Sequence, residues 1–224
     1  MINIGKSNWV TSDRETMMVT TGTGGAAQIE FWFDFGSNYS YLSMMRIDDL
    51  AQRHGVRVVW KPFLLGPVFK AFGWTSSPFV LQKEKGDYVW RDMRRQCAKY
   101  GLPWTQPSNF PRRALLPLRV ALLGAKQAWI SAYCRRIMQI NFVEDRDIDD
   151  AGVVGEVLVS LGLDGGAIIA AAQAEDNKLA MREQGEEAVR RRIFGAPMFF
   201  VGDEMFWGND RLEDAMQLAR PAGV

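Results

Sequence analysis

Histidine is nearly missing from this chain: among 224 residues there is one, His54. A single imidazole excludes the common His-rich metal sites, so no metal is expected, and it argues against a Ser-His-acid triad. Cysteine is almost as scarce. Cys97 and Cys134 form no C-x-x-C pair and have no histidine close by in sequence. Disulfide exchange, a disulfide framework and a zinc site are therefore unexpected, and a reducing, cytoplasmic compartment is the natural setting. Charge of one sign is also lacking. A net charge of +1 leaves no electrostatic footprint for nucleic acid or for an acidic membrane surface. No window of about 18 apolar residues exists to span a membrane, and the N-terminus lacks the basic start and apolar core of a secretion signal.

What is present is an ordinary globular balance, 47% hydrophobic and 24% charged, with 8 Trp and 13 Phe to furnish walls as well as core. The chain is organised around Ile29–Leu42, IEFWFDFGSNYSYL. Its aromatic, partly alternating start reads as a buried strand. Gly36 breaks the strand, and Ser37 and Asn38 favour a helix N-terminus. A helical pattern begins at Tyr39, with Leu42, Met45 and Leu50 on one side and Arg46, Asp49 and Arg53 on the other. Ser37 thus stands where free backbone N–H groups converge. Two roles are open to it: a plain N-cap, or a hydroxyl donor to an anion brought by a ligand. A serine hydroxyl does not ionise unaided, and a thiolate is the interesting anion because helix N-termini lower thiol pKa values.

His54 and Gly55 read as the end of that first helix, with Gly55 as a left-handed cap. Arg57 and its neighbours, Val56–Lys61, give a second strand stopped by Pro62. Phe63–Thr75 is apolar and interrupted by Gly66, Pro67 and Gly73, and Ser77-Pro78 starts a helix that runs through Tyr100. Trp104–Pro111 is a loop. Helical patterns then cover Leu115–Ala125, Ala128–Phe142, Asp149–Leu161, Gly165–Ala174 and Asp176–Arg192. Cys97 shares a face with Val89, Met93 and Tyr100, and Cys134 with Ile130 and Ile137, so both thiols are expected in the core. Asp145, Asp147, Asp149 and Asp150 lack EF-hand spacing and read as a solvated connection with an N-cap. The end returns to strand texture: Ala196–Val201, a Gly202-Asp203 turn, Glu204–Trp207, then a helix over Arg211–Arg220 with Leu212, Ala215, Met216 and Ala219 inward. Pro197 opens a strand in a setting compatible with a cis bond.

Gly22–Gly25 precedes the first strand and so is not a dinucleotide loop. The sequon at Asn38 has no secretion signal to deliver it to glycosylation. The pattern is βαβ, a long all-helical block, then ββα. The expected class is α/β, with a flexible leader at 1–27, a core from 28–62 and 189–224, and a helical insertion at 63–188.

FDFGSNYSYL, GAPMFFV and WGNDRL, in that order, resemble the thioredoxin-like, DsbA-like proteins with a helical insertion. Within them the chain is most similar to the 2-hydroxychromene-2-carboxylate isomerase family, related to kappa-class glutathione transferases. The resemblance places Ser37 where thiol oxidoreductases have a cysteine, Pro197 at a cis-proline, and Trp207, Gly208, Asn209 and Asp210 in the loop holding the γ-glutamyl end of glutathione. Asn38 and Tyr39 complete the cofactor side, and the backbone of Ala196 would pair with the peptide-like cofactor. PFLLGPVFKAFG and PSNFPR resemble segments lining a substrate pocket. Lys70 would face the carboxylate of an aromatic acid, with Phe69, Trp74 and Phe110 as apolar walls. A solvated Lys70 and a core Phe110 are the alternatives.

The implied activity, a step of aromatic catabolism, interconverts 2-hydroxychromene-2-carboxylate and trans-o-hydroxybenzylidenepyruvate, or a related aromatic 2-oxo acid. It proceeds by reversible addition of the glutathione thiolate. A kappa-like transferase and a thioredoxin-fold binding protein without turnover are the alternatives. Homodimers are common among such relatives. Two positions depart from the pattern: Asn38 replaces a frequent proline, and Trp74 replaces a frequent asparagine.

Overall fold

The computed structural model describes residues 27–221; all of the expected leader except Ala27, and with it Gly22–Gly25, lies outside them. Strand β1 (Gln28–Phe33) is followed by α1 (Asn38–Met44), α2 (Ile47–His54) and β2 (Arg57–Pro62). Eight helices then intervene: α3 (Leu65–Ala71), α4 (Pro78–Leu81), α5 (Lys83–Tyr100), α6 (Leu115–Gly124), α7 (Ile130–Phe142), α8 (Ala151–Ser160), α9 (Gly165–Gln173) and α10 (Glu175–Arg190). The chain closes with β3 (Met198–Val201), β4 (Glu204–Trp207), a 3₁₀ turn at Asn209–Arg211 and α11 (Leu212–Ala219). The sheet runs β2-β1-β3-β4, with β1 parallel to β2 and antiparallel to β3. This is the expected βαβ and ββα pattern, a thioredoxin-like fold with a helical insertion.

Strand β1 lies inside the sheet, and its last three residues, Phe31, Trp32 and Phe33, are buried on both faces. Phe31 and Phe33 point into a cluster with Trp60, Phe199 and Met216, which continues through Met93, Leu118, Tyr133 and Val154 of the helical segment. Trp32 points the other way, into a smaller cluster with Phe63, Val68, Ala188 and Met198. Sheet and inserted helices therefore share one main core. Cys97 and Cys134 are buried in it, as their helical faces predict. Gly55 adopts φ 64° and caps α2 as anticipated.

The differences are local. The single helix expected from Tyr39 is divided at Arg46, whose guanidinium reaches Asn209 and Glu213 and lies over the Tyr100 ring. Gly66 and Pro67 do not prevent α3, because both sit in its first turn, where N–H groups have no intrahelical partner. Ser77 caps α4 with Pro78 at the first position, as read, but the helix breaks at Gln82. There α4 folds back so closely that a Cβ on Gly86 would lie 2.3 Å from the Phe79 carbonyl oxygen. The final helix begins at Leu212, after the 3₁₀ turn, rather than at Arg211. Elsewhere ends shift by one or two residues. No described helix is long and apolar enough to cross a membrane.

Candidate active site

The end of β1 turns sharply: the Ser37 N–H donates to the Asp34 carbonyl at 3.0 Å, and Ser37 becomes the N-cap of α1 in extended conformation. Its Oγ accepts from the Ser40 N–H at 3.2 Å and donates to the Ala196 carbonyl at 3.0 Å. The plain N-cap role is thus observed, and the same hydroxyl faces the segment that opens β3. The Ala196–Pro197 bond is cis. The Gly208 N–H donates to the Pro197 carbonyl at 3.0 Å, which brings the WGND segment against the same corner.

These groups open onto a cleft of about 1500 Å³. Ser37, Asn38 and Tyr39 line it from α1, and Ala196 from the segment before β3. Trp207, Gly208, Asn209 and Asp210 close one end. Phe69, Lys70, Trp74 and Phe110 stand on its walls. Pro197 is the exception among the expected residues: it is buried behind Ala196 and forms no part of the wall.

The side chains differ in availability. The Tyr39 hydroxyl donates to Asp92 Oδ2 at 2.8 Å, and burial together with that carboxylate pushes its phenol well above the usual range. The Asn209 side chain is 4% exposed, and its Oδ1 accepts from Ser43 Oγ and Arg46 Nη1 at 3.2 and 2.8 Å. Asn209 therefore ties the last turn to Ser43 and Arg46 through its amide oxygen, which is not free for a ligand. Asp210 is exposed beside it, with its carboxylate accessible. Gly208 adopts φ 104°, a left-handed geometry that suits glycine. Trp74 packs on Phe69 with centroids 5.6 Å apart, and Phe110 meets Trp90 edge-on at 4.7 Å, so Phe110 is both a packed ring and a wall. Lys70 is exposed and makes no ion pair among the described residues.

Three features were not singled out from sequence. Asp34 lines the cleft although it is only 8% exposed; its Oδ1 accepts from Gly36 N–H and its Oδ2 from Leu65 N–H, each at 2.8 Å. Burial raises its pKa, while the two backbone bonds pull it down. A carboxylate inside an aromatic strand was the available cue. Phe194 and Gly195 bring a second aromatic pair: Phe194 meets Trp207 edge-on at 5.0 Å, and a Cβ on Gly195 would lie 2.6 Å from Trp207 Nε1. Arg112, behind a second cis bond at Phe110–Pro111, is buried and donates to Asn141, Ser108 and Asp145. Asn141 in turn donates to the Phe35 carbonyl at 2.8 Å. That chain corrects part of the acidic-cluster expectation. Asp150 does cap α8. Asp145, however, is held by Arg112 and Ser108, which draw its pKa down to about 2, and Asp149 accepts from the Leu116 N–H.

Comparison with known proteins gives consistent matches. The model of the DSBA-like thioredoxin domain matches residues 28–218. A 2-hydroxychromene-2-carboxylate isomerase of Sphingobium xenophagum is 33% identical over 192 residues, covering 83% of this chain and 94% of the relative. A solved 2-hydroxychromene-2-carboxylate isomerase superposes with a TM-score of 0.77 at 30% identity, covering 85% of this chain and 95% of that one. A Caenorhabditis elegans protein named glutathione s-transferase kappa 2 is 26% identical over 215 residues, covering 86% of this chain and 92% of the relative.

Proposed function

The chain belongs to the 2-hydroxychromene-2-carboxylate isomerase family, built on the DSBA-like thioredoxin domain, and from that premise we propose that it is a glutathione-dependent isomerase of an aromatic 2-oxo acid. The observation that carries this reading is the Ser37 hydroxyl facing Ala196 in a cleft to which neither cysteine contributes. Cys97 and Cys134 are both buried elsewhere, so a sulfur nucleophile has to arrive with a ligand.

The donor set fits glutathione. Ser37 offers a hydroxyl, and the turn after Gly208 offers the backbone N–H groups of Asn209 and Asp210 near the exposed Asp210 carboxylate, a pattern suited to an amino acid's carboxylate and ammonium. Bound glutathione would supply a thiolate that adds reversibly to the conjugated system, lets the bond turn, and leaves unchanged. Ser37 would hold that sulfur by turning its hydroxyl from the Ala196 carbonyl, which would exchange a neutral hydrogen bond for a charge-assisted one. The same rotation would free Ala196 O to accept from a peptide N–H of the cofactor. Lys70 holds the substrate carboxylate, and Phe69, Trp74 and Phe110 orient its ring and exclude water.

The deciding experiment titrates glutathione while following thiolate absorbance, then supplies 2-hydroxychromene-2-carboxylate. Binding with isomerisation and no loss of free thiol supports the proposal. Net consumption of thiol would make the protein a transferase, the reading that the kappa relative favours. Binding without turnover would leave a thioredoxin-fold binding protein, and no binding at millimolar glutathione would remove both enzyme readings.

A further inference from the structure

We propose that Asp34 is a positioning residue that ties the two halves of the site together, holding the Ser37 turn with one carboxylate oxygen and the start of α3 with the other. This rests on the functional reading above, in which Ser37 serves the cofactor and α3 the substrate.

Gly36 lies 2 positions beyond Asp34 and Leu65 lies 31 beyond it, yet one planar carboxylate accepts from both N–H groups at 2.8 Å. On one side, the bond to Gly36 fixes the turn whose next residue is Ser37. On the other, Leu65 is the first residue of α3, whose N-cap Leu64 has no side-chain acceptor to offer. Asp34 thus replaces a local cap with a distant one. Helix α3 carries Phe69 and Lys70, and Trp74 follows it, with its N–H bonded to the Phe69 carbonyl at 2.9 Å.

Stability alone does not account for this group. Asp34 is buried, and among the described residues no cation pairs with it. Two backbone N–H bonds offset only part of the cost of burying a carboxylate with no cation beside it, and an apolar side chain would suit the aromatic strand end better. Asparagine cannot replace it cleanly. An amide has one acceptor oxygen, and its NH₂ would face the second N–H.

The test compares Asp34→Asn, Leu65→Pro and the double variant. Proline is tolerated at the first helical position, and Leu64 already has the extended conformation that precedes a proline, so Leu65→Pro deletes the α3 donor while leaving the Ser37 turn its acceptor. Leu65→Pro should raise KM for the aromatic acid about tenfold, with glutathione affinity and kcat within about twofold of the parent. Asp34→Asn should reduce kcat/KM at least as much and also weaken thiolate absorbance. The double variant should be little worse than Asp34→Asn, because the two changes break the same bond. Additive losses, or a Leu65→Pro enzyme with unchanged KM, would overturn the proposal. Hydrogen exchange at Phe69–Ala71 gives a readout independent of turnover: both single variants should exchange faster there, and unchanged exchange rejects the tether. If the parent protein neither binds glutathione nor isomerises, the functional reading fails while the exchange result still decides the tether. If Asp34→Asn does not fold, Leu65→Pro and its exchange pattern decide it alone.

Discussion

Ser37 Oγ and the Ala196 carbonyl oxygen, 159 positions apart in sequence, lie 3.0 Å from one another, with the hydroxyl as donor. That single bond joins the strand-to-helix turn at one end of the chain to the segment entering β3 at the other. On the proposed reading, it also sets the direction in which the hydroxyl would swing to serve a thiolate.

Ser37→Ala should keep the fold and lose most of the chemistry. Loss of the cap contact to Ser40 costs about 1 kcal/mol of stability. Loss of the donor to the sulfur should lower kcat by about 10²-fold and diminish the thiolate absorbance of bound glutathione. Stopped-flow isomerisation with a parallel thermal melt separates the two. Full activity in the variant would take the hydroxyl out of the mechanism.

Lys70→Gln tests the substrate wall. The lysine is exposed, so water weakens its pull on a carboxylate, and the expected effect is a KM raised about fivefold with kcat retained. Glutathione affinity should not move. An unchanged KM for the acid would return Lys70 to the role of a solvated surface residue.

Gly195→Ala probes the aromatic pair at the other end of the cleft. A new Cβ would sit 2.6 Å from Trp207 Nε1, and since Trp207 is 55% exposed the indole can swing outward instead of breaking the fold. Melting behaviour should stay near that of the parent while glutathione binding, measured by calorimetry, weakens several-fold. Equal affinity in the two proteins would show that the indole has no part in holding the cofactor.

Asp145→Asn concerns acid stability. Arg112 and Ser108 hold the folded pKa at about 2, below the ordinary 3.8. A depressed carboxylate pKa means that its contribution is present above the unfolded value and fades as pH falls from 3.8 towards 2. The parent should therefore exceed the variant in denaturant resistance at neutral pH and lose that advantage across this window. A difference that persists unchanged into acid would point to some cause other than the ion pair.

Much of the architecture was legible because its signals are local. Gly36-Ser37, Gly55, Ser77-Pro78 and Gly202-Asp203 each mark a change of direction within two residues, and each change occurs there. The buried faces Val89, Met93 and Cys97 on α5, and Leu212, Ala215, Met216 and Ala219 on α11, follow helical spacing. What was not legible depends on partners far along the chain. The break at Arg46 goes with its reach to Asn209 and Glu213, and the break at Gln82 with the close packing of Gly86 on Phe79. Arg112 gives no sign in sequence that Asp145 and Asn141 will receive it. At the site itself, the residues expected to surround a ligand lie around one cleft, except Pro197, which is buried behind Ala196. Asp34 stands out in sequence only as an acid within an aromatic run, and its partner Leu65 lies 31 positions away with no spacing pattern to link the two.

The two buried thiols have a consequence for durability. Burial pushes Cys97 up to about 11 and Cys134 well above its ordinary value, so neither ionises near neutrality. A thiol-directed alkylating agent or peroxide that enters the cleft finds no cysteine of the described residues in its lining. On the proposed reading, such damage falls on a dissociable tripeptide, and exchange for a fresh molecule restores the catalyst with no repair of the protein.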